Sequence, residues 1–195
     1  IQGEGRYTGV NQVFVRFADC NLGCVWCDTP EARNKDIYND WTPKEAFELV
    51  RSLYNDCHSV SLTGGEPLLS TDFLLELLPM FKANGMRVYI ETNGVDFKSL
   101  SKIIDYIDII AMDIKLPSST HTKALWREHK EFLKICCKKN MFVKTVISAN
   151  TKEADILNAA KLIFETDRTI HLIIQPNYFD LKYGIIEKCH LFRIC

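Results

Sequence analysis

The feature that most constrains this chain is an alternation of short β-prone runs with longer segments of helical period. Val, Ile, Phe and Tyr concentrate at 12–17, 59–62, 87–91, 107–114, 142–147 and 169–174, the length and residue types of strands. Between them, 43–56, 71–84, 97–106, 123–139 and 151–165 repeat apolar residues at helical spacing. A strand followed by a helix and another strand pairs in parallel through a right-handed crossover, so the rhythm predicts an α/β fold. Six such units are too few to close an eight-stranded barrel. Local signals agree. Thr42 before Pro43, with Glu45 three residues on, predicts a capped helix start, and Asn84-Gly85 predicts a stop. Thr151, followed by Lys152 and Glu153, reads as a further N-cap.

Composition sets the class of partner. The chain has 195 residues, 47% of them apolar and 25% charged, which excludes disorder and suits a single domain over 1–195. Its longest uninterrupted apolar stretch, 109–112, is far below the ~18 residues of a membrane span. A formal net charge of −1 leaves no broad cationic footprint for nucleic acid or an anionic membrane. The expectation is a cytoplasmic protein with a small-molecule partner. The chain opens on Ile1 and stops at Cys195, so both ends are expected to be incomplete.

The unusual residues gather where the strands should end. The first strand runs into a cysteine cluster, the second into Thr63-Gly64-Gly65-Glu66-Pro67 and the third into Glu91-Thr92-Asn93-Gly94. The fourth leads to Asp113-Ile114-Lys115 and Pro117-Ser118-Ser119, the fifth to Ser148-Ala149-Asn150, and the sixth to Gln175-Pro176-Asn177. Parallel βα folds place their ligand sites at these C-terminal strand ends. Eight cysteines are too few for a disulfide scaffold of this size. Cys57, Cys136, Cys137, Cys189 and Cys195 are scattered and read as small buried hydrophobes, whereas Cys20, Cys24 and Cys27 share one loop. Three thiolates suit a four-iron cluster with one iron left open. Structural zinc wants four ligands, and Cys57, His58 or Asp28 could supply the fourth, so spacing alone leaves both readings standing.

The loop Cys20-Asn21-Leu22-Gly23-Cys24-Val25-Trp26-Cys27 resembles the cluster loop of the radical S-adenosylmethionine enzymes, and Gly64-Gly65-Glu66-Pro67 is similar to their GGEP segment. Within that superfamily the chain resembles the 7-carboxy-7-deazaguanine synthases. The matching segments are Ile1-Gln2-Gly3-Glu4-Gly5, Phe14-Val15-Arg16-Phe17, Trp26-Cys27-Asp28-Thr29, Thr63 to Leu69, Glu91-Thr92-Asn93-Gly94, Pro117-Ser118-Ser119 and Gln175-Pro176-Asn177. The resemblance spans residues 1 to about 178 and implies a partial (β/α)6 barrel of parallel strands, open on one side. Glycyl-radical activating enzymes share the cysteines but typically carry Tyr in place of Trp26, and lack the opening segment and the Cys27-Asp28-Thr29 run.

The resemblance implies a lyase with a [4Fe–4S] cluster, S-adenosylmethionine and Mg²⁺, reduced by a flavodoxin or ferredoxin-type donor. It would convert 6-carboxy-5,6,7,8-tetrahydropterin to 7-carboxy-7-deazaguanine with loss of ammonia, on the route to queuosine and other modified tRNA bases. A homodimer is implied in the same way. Carried over by position, Cys20, Cys24 and Cys27 would hold iron. Trp26, Gly64, Gly65 and Glu66 would meet S-adenosylmethionine, Glu66 at its ammonium. Asp113, Ile114, Lys115, Gln175, Pro176, Asn177 and Tyr178 would line its ribose and adenine. Ile1, Gln2, Gly3, Arg16 and Thr63 would contact the pterin, and Thr29 would place a hydroxyl on Mg²⁺. A planar guanidinium suits a carboxylate on its own chemistry. A single neutral oxygen is a poor site for Mg²⁺, so metal and substrate binding are expected to be coupled.

Plainer roles exist for several of these residues. Arg16 could pair with a surface acid, Thr29 could close a turn, and Lys115 could be an ordinary exposed lysine. Ser118 and Ser119 could cap a helix, and Asn93 could serve its turn before Gly94. Asp19 stands where the family more often has Gly, adding a negative charge beside the cluster loop. Residues 179–195 show no counterpart of the family's closing tail. The remaining alternatives are another radical enzyme, such as a glycyl-radical activase, and a zinc or Fe–S module without catalysis.

Overall fold

In a computed structural model the chain is described over residues 1–34 and 38–185; Cys189, His190 and Cys195 lie outside the described residues. Six strands, β1 (Gln12–Phe17), β2 (Ser59–Gly64), β3 (Val88–Thr92), β4 (Ile109–Asp113), β5 (Asn140–Ile147) and β6 (Leu172–Pro176), form one sheet in that order. Every neighbouring pair is parallel. The helices are α1 (Pro43–Leu53), α2 (Thr71–Ala83), α3 (Phe97–Ile103), the short α4 (Pro117–Thr120), α5 (Trp126–Cys136), α6 (Glu153–Thr166) and the short α7 (Tyr178–Lys182). Sequential order with one hand of crossover puts the long helices on the same face of the sheet. The strands curl away from them into a barrel segment, with β1 and β6 left as open edges.

Alternation along each strand assigns the side chains to two clusters. Val60, Leu62, Ile90, Ile110, Met112 and Val143 join Leu74, Leu77, Phe81, Leu100, Ile103, Phe132 and Leu133 in the core under the helices. Tyr89, Ile109, Ala111 and Phe142 form a smaller inner cluster, against which Tyr7 and Ile173 pack. The N-terminal segment therefore plugs one end of the barrel's interior. The other end is left to polar residues of the same inward parity: Arg16, Thr63, Glu91, Asp113, Lys144 and Gln175.

The local signals are largely realised. Thr42 and Glu45 form a reciprocal capping box on α1, with Pro43 inside its first turn. Asn84 ends α2, and Gly85 takes a φ of 67°. Two cap expectations are corrected. Lys152, not Thr151, is the N-cap of α6 and gives no side-chain cap bond; the Thr151 hydroxyl instead accepts from the Ser148 amide at 2.7 Å and closes the turn after β5. Ser118 does not cap α4, which begins with Pro117. Its hydroxyl donates to Asp155 at 2.6 Å and accepts from the Lys152 amide at 2.9 Å, tying α4 to the start of α6.

Candidate active site

The C-terminal strand ends and the N-terminal segment enclose a cavity of about 570 Å³. Cys20, Cys24 and Cys27 all line it as free thiols. Burial lifts the Cys20 and Cys24 thiols above the ordinary cysteine value. Three free thiols on one wall, separate from the core cysteine Cys136, are the donor set a cluster with one open metal position requires. Among the described residues no three His, Cys, Asp or Glu groups converge on a single-ion site.

The cysteine loop is held by backbone on both sides. Gly65 donates to the Phe17 carbonyl and Glu66 to the Asp19 carbonyl, each at 2.8 Å. That approach explains the two glycines. A Cβ on Gly65 would lie 1.8 Å from the Asp19 oxygen, and one on Gly64, whose φ is +118°, would lie 2.4 Å from the Phe17 backbone. On the far side Val25 donates to the Thr120 carbonyl at 3.2 Å, and the Trp26 indole N–H donates to the Ser119 carbonyl at 2.6 Å. Arg33 donates to the Cys24 carbonyl at 2.8 Å. Asp19 sits at φ 75°, and its carboxylate accepts from the Cys20 amide at 2.9 Å.

Glu66 lies just behind the cavity wall, 1% exposed. One oxygen accepts from the Leu68 amide and the Thr92 hydroxyl, the other from the Asn93 amide at 2.7 Å. Burial pushes its carboxyl up to about 7 in spite of these donors. In this arrangement the carboxylate stitches the loop after β2 to the loop after β3. Asn93 continues that seam, donating from its side chain to Asn21 in the cysteine loop at 2.8 Å. Neutral His129, held near 4 by burial, lies within 3.2 Å of the Asn93 carbonyl.

Across the cavity the inward parity brings charges together. Lys115 pairs with Asp113 Oδ2 at 2.8 Å, and its ammonium stands 5.2 Å from the Trp26 ring centroid. Lys144 lies 3.5 Å from the same Oδ2 and pairs with Glu4. Asp113 Oδ1 is buried without a hydrogen-bond partner. Burial raises the Asp113 carboxyl, but the two lysines outweigh it and hold the group below the ordinary carboxylate range. A charged, unpartnered acceptor on a cavity wall fits a ligand that brings hydroxyl or N–H donors. Gln2, 4% exposed, donates to Glu91 at 2.6 Å, and Thr63 donates to the other Glu91 oxygen at 2.8 Å. Arg16 lines the cavity with no hydrogen bond or ion pair among the described residues.

Of the residues singled out from the sequence, Ile1, Gln2, Gly3, Arg16, Cys20, Cys24, Trp26, Cys27, Thr29, Thr63, Gly64, Gly65, Asp113 and Lys115 line this one cavity. The Thr29 hydroxyl donates to the Asp28 carboxylate at 3.0 Å. Six others lie off its lining. Glu66 sits buried just behind it, bonded to backbone and Thr92. Ile114 packs in the core under the helices. Gln175 donates to Glu4 at 2.8 Å, Pro176 ends β6, Asn177 caps α7, and Tyr178 is 64% exposed. Glu4, Glu91 and Lys144 also line the cavity; the first two stand in quoted motifs without an assigned role, and Lys144 stands in none. The available signal was charge and parity: Glu91 and Lys144 are the single charges in otherwise uncharged strands, and Glu4 belongs to the opening motif.

A model of the radical SAM superfamily matches residues 15–163. The 7-carboxy-7-deazaguanine synthase of Haemophilus influenzae is 43% identical, covering 98% of this chain and 78% of that protein. The enzyme of the same name from Geobacter sulfurreducens is 37% identical over 90% of this chain and 78% of its own length. The crystal structure of QueE from Escherichia coli superposes with a TM-score of 0.63 over 95% of this chain and 84% of that one, at 20% identity, and so bears on the fold alone. On the span of the superfamily match and the identity to full-length relatives, the chain belongs to the radical SAM superfamily and, within it, to the 7-carboxy-7-deazaguanine synthases.

Proposed function

We propose that this chain converts 6-carboxy-5,6,7,8-tetrahydropterin to 7-carboxy-7-deazaguanine by contracting the pterin ring with loss of ammonia. Substrate and product differ by the elements of ammonia, so the overall reaction is redox-neutral. The observation that carries the reading is the pairing, in one cavity, of three free thiols with the Arg16 guanidinium, which has no hydrogen bond or ion pair among the described residues. When bound, a [4Fe–4S] cluster with S-adenosylmethionine supplies hydrogen-atom abstraction.

The chain's own residues orient and enclose. Cys20, Cys24 and Cys27 would hold the cluster. Asp113 Oδ1 is the acceptor offered to donors of the cofactor, with Trp26, Gly64, Gly65 and Lys115 beside it; Glu66 keeps the loop under them in place. Arg16 offers a fork to the substrate carboxylate. Gln2 and Thr63, both bonded to Glu91, would present the polar wall to the pterin edge together with the Ile1 and Gly3 backbone. Thr29 and the adjoining Asp28 carboxylate offer oxygen to Mg²⁺, and substrate oxygens and water would complete its shell. The low-potential electron would come from a flavodoxin or ferredoxin. Among the described residues no helix is long and apolar enough to cross a membrane, and a cytoplasmic homodimer acting on a free pterin is the arrangement we infer.

The test is anaerobic. The chain is reconstituted with iron and sulfide, reduced, and given S-adenosylmethionine with or without the pterin and Mg²⁺. Mass spectrometry then quantifies 5′-deoxyadenosine and the deazaguanine. Mg²⁺-stimulated deazaguanine is the expected result. Deoxyadenosine without deazaguanine would overturn the substrate assignment, and neither product from a cluster-loaded chain would overturn the radical reading as well.

A further inference from the structure

Lys144 is a charge in the otherwise uncharged 141–147 stretch of β5. Its register partner on β4 is Asp113, and its side chain is 15% exposed. Burial draws its pKa down, but Asp113 and Glu4 more than reverse that pull and leave it above the ordinary lysine value. The ammonium stands between two parts of the cavity. On one side it approaches Asp113 Oδ2, the oxygen that Lys115 also takes, which leaves Oδ1 free. On the other it pairs with Glu4, whose second oxygen accepts from Gln175 on β6.

Glu4 belongs to the N-terminal segment, which folds back on itself. Gln2 donates to the Val10 carbonyl at 2.9 Å, Gly9 to the Gln2 carbonyl at 2.8 Å, and Glu4 to the Gln2 side chain at 3.1 Å. Gln2 in turn bonds Glu91 on β3 and Gln12 on β1. The segment is thus fastened to β1 and β3 through one residue and to β5 and β6 through the other. The β5 fastening is ionic. Without Lys144, Asp113 keeps Lys115, but Glu4 loses its ammonium partner. Asp113 is buried; Glu4, with a side chain 35% exposed, is free to turn to water and take the segment with it.

We propose that Lys144 is a positioning residue that fixes the N-terminal wall of the cavity relative to the Asp113 end of it. This rests on the reading of that wall as the pterin-binding surface. Lys144 bears on substrate through Glu4 and on the cofactor end through Asp113 Oδ2.

The experiment compares wild type with Lys144→Met, Lys144→Arg and Glu4→Gln. Amide hydrogen exchange of the purified chain without ligands is read at Gln2, Gly9 and Val10, with the β2 and β3 amides as internal reference. The expected result is exchange at least about tenfold faster at the three N-terminal amides in Lys144→Met and Glu4→Gln, with the reference amides unchanged. In steady-state assays Lys144→Met should raise KM for the pterin about tenfold or more while kcat changes only a few-fold, and Lys144→Arg should recover most of the loss. Unchanged N-terminal exchange in both variants would overturn the proposal. So would acceleration spread evenly over the sheet in Lys144→Met with none in Glu4→Gln, the pattern of a residue that merely stabilises the fold. The exchange arm needs neither cofactor nor substrate, so a wild type that makes no deazaguanine refutes the functional reading and leaves the positioning claim to be decided by exchange.

Discussion

Replacing Gly65 with alanine should dislodge the cysteine loop although it touches no thiol. The added Cβ falls 1.8 Å from the Asp19 carbonyl oxygen and 2.5 Å from its carbon. Both are backbone atoms next to Cys20, so no side chain can rotate out of the way, and relief requires the two loops to part. Parting them breaks the bonds from Gly65 to Phe17 and from Glu66 to Asp19, each contributing about 1 kcal/mol. Overpacking against a fixed partner adds about 3 kcal/mol. The total, ~5 kcal/mol, is a large part of the ~5–15 kcal/mol by which a domain is folded. Urea unfolding of the cluster-free protein, followed by circular dichroism, measures the loss, and iron per chain after anaerobic reconstitution measures the loop. Gly85→Ala is the control: φ is +67° there, but no atom lies within 4 Å of the new Cβ. It should cost only the left-handed penalty of about 1–2 kcal/mol and leave iron binding intact. A Gly65→Ala protein within about 1 kcal/mol of wild type and fully loaded with iron would refute the reasoning.

Glu66 predicts an inverted pH dependence. Burial raises its folded pKa to about 7 from 4.5, so between these values the folded state holds a proton the unfolded state has released. Its contribution is therefore greatest below pH 4.5 and is lost by about 3 kcal/mol as pH rises to 7. Glu66→Gln should flatten that slope in urea midpoints taken from pH 4.5 to 7.5, and parallel slopes in the two proteins would contradict it. Cys24→Ala should abolish the visible absorbance of the reconstituted cluster and all turnover; residual turnover would remove Cys24 from the cluster. Thr29→Ala should still cleave S-adenosylmethionine but lose the stimulation by Mg²⁺, which a metal titration of product formation would detect.

The fold was legible because each strand and each long helix carries its own local signal, and helix placement follows from the alternation. The ends of elements were less legible. Thr151 has the signature of a cap because its hydroxyl precedes a helix, yet Ser148, three residues earlier, offers an amide closer at hand, and Ser118, within α4, gives its hydroxyl to Asp155 of α6. The resemblance assigns Gly64 and Gly65 of Thr63-Gly64-Gly65-Glu66 to cofactor contact. They also make room for the neighbouring loop, which is invisible in sequence because Asp19 is more than forty residues away.

By itself the sequence determined that strands and helices alternate, that three thiols share a loop, and that polar motifs cluster at strand ends. Spacing and period are properties of the chain read locally. Only the tertiary structure decided which side chains meet across the cavity. Strand parity says that Lys144, Asp113 and Glu91 share the inner face, but the partners of that face come from register and from a segment far off in sequence. Gln2 reaches Glu91, and Glu4 reaches Lys144, because the curled sheet leaves its inner end open and the first residues of the chain fill it.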